Sequence, residues 1–164
     1  PSLLRLAALS EDSVLLSVPS GTEAVCVDRE LGNFPIRANS LDIGSRRPLG
    51  VGAGAMALLA WQSEAEIEAI LPFVAQRLQN YPKVSLTWLR NEIERCRDRG
   101  YTLFLNMLVD RMGAVAVPVF GAHGKPIAAI SIAALSDRVS SRLEALVEML
   151  KREADIVANV KAKN

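Results

Sequence analysis

The stretch Ala114–Ala134, AVAVPVFGAHGKPIAAISIAA, decides the fold of this chain. Two apolar runs rich in β-branched residues flank Gly121-Ala122-His123-Gly124, and a short glycine-containing link between such runs predicts a β-hairpin. Nearly every residue of both runs is small or aliphatic, so both strands should be covered on both faces. Helices must then pack on the sheet from each side, and a cavity can be built on it.

Outward from the hairpin the chain supplies the other layers. Tyr101–Leu105 reads as a strand, followed by a loop over Asn106–Gly113. On the other side Ser136-Asp137 should cap one long terminal helix, with Val139, Leu143, Leu146, Val147, Leu150, Ala154 and Val157 on its apolar face and a basic end at Lys161-Ala162-Lys163-Asn164. Ser85 opens a helix whose stripe is Leu86, Leu89, Ile93 and Cys96, and Gly100 closes it. Its charged residues Arg90, Glu92, Glu94, Arg97 and Asp98 mix both signs and read as a solvated face, not a phosphate-binding surface. Ser63-Glu64-Ala65-Glu66 has the form of a capping box, and Ile67, Ile70, Leu71, Val74 and Leu78 continue at helical spacing, with a kink or restart expected at Pro72.

Nearer the N-terminus, Val14–Val18 and Ala24–Asp28 read as a second hairpin joined through Pro19-Ser20-Gly21-Thr22-Glu23. Leu3, Leu6, Ala7 and Leu9 fit one or two helical turns, the tail of a longer helix. Gly32, Pro35, Asn39, Gly44 and Pro48 break the pattern between Leu31 and Pro48, leaving one irregular strand near Phe34–Asn39 and otherwise loop. The expected order is β-β-(β)-α-α-α-β-β-β-α, an α+β fold with a mainly antiparallel sheet.

Composition excludes several functions. The 164 residues are half hydrophobic, the size of one domain with a shielded core. Lys and Arg number 19 against 18 Asp and Glu, so the charge does not mark a nucleic-acid surface. No apolar run reaches the roughly 18 residues of a membrane span, and Pro1-Ser2 begins no signal peptide. Cys26 and Cys96 stand far apart with a single histidine in the chain, which indicates neither a metal site nor a disulfide framework; both read as buried small side chains in a cytoplasmic protein.

Gly50-Val51-Gly52-Ala53-Gly54-Ala55 runs into the small-residue helix Met56–Trp61. Such a turn exposes backbone N–H groups able to hold an anion, and the same residues suit close packing of a helix on a sheet. It is not a phosphate-binding Walker loop, since Met56 stands where a lysine would help and G-K-[ST] is missing. Nucleophile, base and metal constellations are also missing: His123 sits between turn glycines, and Ser131 has no base beside it. Ser131 is either a small polar residue on the sheet or a hydrogen-bond donor into a pocket.

Three groups of residues carry a resemblance. Arg46-Arg47-Pro48-Leu49-Gly50-Val51-Gly52-Ala53-Gly54 with Ala57-Leu58-Leu59-Ala60, then Arg99-Gly100-Tyr101, then Pro118–Lys125 with Ala128–Ile132, occur in an order and spacing that resembles the effector-binding domain of IclR-family bacterial transcription regulators. The resemblance covers nearly the whole chain, residues 1–164 as one effector-binding domain. It implies a GAF-like, profilin-like fold with helices on both faces of an antiparallel sheet. It also implies a small organic effector, often a carboxylate, and DNA binding through an N-terminal winged helix-turn-helix that these residues do not include.

Carried over position by position, the family pocket falls on Ile36, Ala53, Gly54, Phe104, Ala114, Ser131 and Ala133. Its polar version has an acidic residue where Phe104 stands, a cysteine at Ala114 and a second serine at Ala133; separately, the family's usual helix-opening lysine is Met56 here. Replacing those groups by methyls and a ring removes discrimination for a polar ligand. The expected effector is therefore less polar than a short keto acid, an aromatic acid with its carboxylate on the turn at Ala53 and Gly54. No cofactor or metal is expected, no catalysis, and no membrane partner. A homodimer or homotetramer is expected, because such regulators pair to match palindromic operators. The alternatives are a GAF-like sensory module of another signalling protein and, last, a small α+β enzyme.

Overall fold

A computed structural model describes residues 1–36 and 41–163, without the side chains of residues 161 and 162. In chain order the elements are α1 (Ser2–Ser10), β1 (Ser13–Ser20), β2 (Glu23–Glu30), β3 (Arg46–Pro48), α2 (Ala53–Ala60), α3 (Glu64–Ala75), α4 (Leu86–Arg99), β4 (Thr102–Leu105), β5 (Met112–Phe120), β6 (Pro126–Leu135), α5 (Ser136–Ser141) and α6 (Leu143–Ala162). The strands form one sheet in the order β3-β2-β1-β6-β5-β4, and each neighbouring pair is antiparallel. The 114–134 stretch supplies β5 and β6, joined by a single 3-10 turn at Ala122–Gly124, and β6 lies at the centre.

Strand periodicity sorts β5 and β6 into two unlike faces. Val115, Val117 and Val119 with Ala128, Ile130, Ile132 and Ala134 share one hydrophobic cluster with Leu146, Leu150 and Ala154 of α6 and Leu3 and Leu6 of α1. The opposite face carries Ala114, Ala116, Ala129, Ser131 and Ala133, and α2 packs against it. Large aliphatics give a filled layer under α6. Small side chains let α2 approach and leave unfilled space between the start of α2 and residues of β1, β5 and β6. Seven of the eight α2 residues are buried, which accounts for a helix apolar all round.

The predicted layers are present, with five differences. The loop expected around Gly44–Pro48 contains β3, whose three residues pair with Glu23–Val25 of β2. The irregular strand expected at Phe34–Asn39 is not formed by Phe34, Pro35 or Ile36, and its remainder lies outside the described residues. Helix α3 runs through Pro72 and ends at Ala75, followed by a 3-10 turn at Leu78–Asn80. Half of its capping box forms: Ser63 accepts from the Glu66 N–H, while the Glu66 carboxylate pairs with Lys125 at 3.2 Å. The single terminal helix is two, broken at Arg142 (φ −121°), and Ser136 does not cap it: it is the first residue of α5, and its hydroxyl donates to Asn106 Oδ1 at 2.7 Å.

Buried carboxylates are met by arginines, across elements at Asp12 and within α4 at Glu92. Asp12, at the exit of α1, receives Arg138 of α5 at 3.0 Å and Arg142 at the helix break. Both arginines also donate to the Ser10 carbonyl, and Arg138 lies over the Phe34 ring at 3.5 Å. Glu92, expected in water, is buried and meets Arg99 at 2.6 Å and Arg95 at 3.3 Å. Arg99 then stacks on Tyr101, which gives the Arg-Gly-Tyr sequence a structural role at the end of α4, where Gly100 adopts φ +85°. Arg97 is likewise taken up, donating to the Ala60 and Gln62 carbonyls at the end of α2. Burial pushes the Cys96 thiol beside this cluster up to about 12. Both cysteines are buried and free. Among the described residues no helix is long and apolar enough to cross a membrane.

Candidate effector site

Sheet register brings the candidate residues together. Phe104 of β4 stands opposite Ala114 of β5, and Ala114 opposite Ala133 of β6. One pleat along the same face, Ser131 stands opposite Ala116 and Leu15. The start of α2 lies over these rows. Thr102 donates to the Ala53 carbonyl at 2.6 Å and ties the first helical residue to β4. Gly52, the residue before the helix, has φ +115°, a conformation side chains rarely adopt. A methyl group at Gly54 would lie 3.3 Å from Ser17 Oγ and 3.8 Å from Ser131 Oγ, so this turn sits close against β1 and β6.

Two adjoining cavities open around the turn. The first has about 470 Å³ of empty space including its mouth, and Ala53, Gly54, Ala114, Ser131 and Ala133 line it with Cys26 and Leu15. The second, about 390 Å³, is walled by Phe104, Met107, Leu108 and Met112. Arg47, Gly52, Ala53, Ala114 and Ala133 line both. Phe104 is held edge-on by Trp88, with ring centroids 5.2 Å apart.

The polar inventory is short. Ser131 is only 5% exposed, and its hydroxyl makes no hydrogen bond to any described residue. The N–H groups of Ala53, Gly54 and Ala55 open a helix and have no acceptor among the described residues; Met56 is the first to close a helical bond, to the Gly52 carbonyl. Burial pulls the pKa of the Arg47 guanidinium below the ordinary arginine value. Burial likewise raises that of the Cys26 thiol, which donates to the Asp28 carbonyl. Neither cavity has an acidic residue in its described lining. The site is apolar, with positive features and one hydroxyl.

Six of the seven candidate residues thus gather at the two cavities. Ile36 does not: it is 56% exposed and lines neither. Met56 is fully buried in the core below the turn. Arg47 was not a candidate, because Arg46-Arg47-Pro48 reads as loop. Once those residues form a strand, alternation sends Arg46 to Glu23, at 3.6 Å, and Arg47 to the cavities.

A six-stranded antiparallel sheet with helices on both faces, and an apolar pocket at the start of a buried helix, define a ligand-binding α+β domain. The sequence matches the family described as "Bacterial transcriptional regulator IclR C-terminal" over residues 1–159, so the chain belongs to the IclR family of bacterial transcriptional regulators. It is similar to the HTH-type transcriptional repressor AllR of Salmonella typhi, at 29% identity over 141 residues, covering 85% of this chain and 52% of the repressor. AllR of Escherichia coli strain K12 matches with the same identity and coverage. The chain spans about half the length of these curated relatives. In fold it is similar to the Thermotoga maritima IclR structure, with a TM-score of 0.87 at 24% identity over 96% of this chain and 64% of that one. It is also similar in fold to the Agobacterium tumefaciens repressor BlcR, with a TM-score of 0.80 at 22% identity over 96% of this chain and 63% of that one.

Proposed function

We propose that this chain is the effector-binding domain of a DNA-binding regulator, and that its effector is a small organic acid with an apolar, preferentially aromatic, body. The observation that carries this reading is the pocket at the α2 turn. Free helix N-terminal N–H groups and the unpartnered Ser131 hydroxyl face a cavity walled otherwise by alanines, Phe104 and aliphatic side chains. An anion is stabilised at a helix N-terminus, and apolar walls favour a ring over a hydrated keto group. Ala53, Gly54, Phe104, Ala114, Ser131 and Ala133 are the proposed contacts. DNA contact belongs to a helix-turn-helix segment elsewhere in the full-length protein, in keeping with the repressor function named for AllR. The domain works in the cytoplasm and self-associates.

Calorimetry with benzoate, phenylacetate, glyoxylate and pyruvate tests this reading. Saturable heats are expected for the aromatic acids and their loss in Ala114→Phe, whose ring would project into the space that both cavities share. Tight binding of glyoxylate or pyruvate with no response to aromatic acids refutes it.

A further inference from the structure

We propose that Arg47 is the charge-recognising residue of the pocket, and that the ligand is an apolar monocarboxylate held between the Arg47 guanidinium and the N–H groups of Ala53 and Gly54. This rests on the effector-site reading above and narrows it. The carboxylate sits where the two cavities meet. Its hydrocarbon body lies against Phe104, Met107, Leu108 and Met112.

Three observations support it. First, Arg47 has no ion pair or hydrogen bond with any described residue, whereas Arg46, Arg77, Arg99, Arg138 and Arg142 each reach a carboxylate. A largely desolvated guanidinium without an anion is unfavourable, and burial does lower its pKa. Second, its position repeats the sign of its surroundings. A methyl group at Gly52 would lie 3.1 Å from Arg47 Nη1, so the guanidinium rests on the residue preceding α2, at the positive end of the helix dipole. Two positive features converge there, and the described lining of both cavities holds no acidic side chain to offset them. An incoming carboxylate satisfies both at once, by the planar pairing that arginine makes with such groups. Third, Arg47 borders both cavities, so a ligand anchored on it reaches the apolar wall of Phe104 and Met112 without burying further charge.

Arg47 acts through its side chain on a three-residue strand whose backbone pairing does not need it, so substitution should leave the fold intact. The test is a titration of the 164-residue chain with benzoate and with benzamide, followed through the backbone amide resonances of Gly52–Ala55 and the Arg47 side-chain N–H. In the unaltered chain benzoate should move these signals saturably, and benzamide should bind at least about tenfold more weakly. Arg47→Met should weaken benzoate by about tenfold or more while leaving benzamide unchanged, and Arg47→Lys should restore part of the loss. Equal benzoate affinity in Arg47→Met, with Gly52–Ala55 still responding, overturns the role of Arg47 and leaves the effector site standing. No saturable response at Gly52–Ala55 to benzoate, phenylacetate or pyruvate in the unaltered chain overturns both.

Discussion

Removing the Asp12 carboxylate should loosen the seam between α1, α5 and the break before α6. Its side chain is 2% exposed and takes hydrogen bonds from Arg138 Nη2 at 3.0 Å, Arg138 Nε at 3.2 Å and Arg142 Nη2. Breaking a buried pair by deleting one partner costs about 3–5 kcal/mol, because the opposite charge stays behind. Here the arginines are 21% and 30% exposed and can turn partly towards water, so the lower end of that range, about 3 kcal/mol, is expected for Asp12→Ala. For a domain of this size each kcal/mol moves the melting temperature by about 2–4 °C, so the fall should be ~6–12 °C. Thermal melts followed by circular dichroism measure it. Asp12→Ala together with Arg138→Met and Arg142→Met should recover much of the loss, since no unpaired charge remains. A single-variant shift below ~2 °C refutes the reasoning.

The Arg5–Glu153 pair links α1 to α6, and the hydrogen bond from Arg5 holds the Glu153 carboxyl below the usual carboxylate range. A lowered folded-state pKa adds stability that is complete above the unfolded value near ~4.3 and is lost as pH falls through the folded value. Urea midpoints of the unaltered chain and Glu153→Gln should therefore differ at pH 6 and converge on acidification; a difference independent of pH contradicts this. Self-association should use the α1 and α6 surface, where Leu4, Leu9 and Val160 are exposed and the two helices pack together. Light scattering should report a dimer or tetramer that Leu9→Glu disrupts, and a monomer at high protein concentration would rule out a self-sufficient oligomerising domain.

Much of the architecture was legible where residue type and period agree. The β5–β6 hairpin showed as two β-branched runs around a glycine turn, and α4 as a capped stripe from Ser85 to Gly100. What escaped has a common physical origin in contacts distant in sequence. β3 is three residues long, with two arginines and a proline, and only its partner β2 makes it a strand. The break at Arg142 carries no glycine or proline, and its geometry accompanies a buried Asp12 contributed from 130 positions away. The same limit hid Arg47 from the candidate site while leaving Ser131, Ala114 and the Gly52–Ala55 turn in view. Those lie on elements whose periodicity was clear.

The division of β6 into unlike faces has a consequence for how such a pocket diverges. Ser131 and Ala133 alternate with Ile130, Ile132 and Ala134, so neighbouring codons specify a cavity wall and a structural wall. A substitution at 131 or 133 changes the volume and polarity of the cavity without touching the aliphatic layer under α6, which lies on the other side of the backbone. Lineages carrying this fold can therefore explore new chemical signals through single-residue changes on one side of a strand while the scaffold on its other side stays constant.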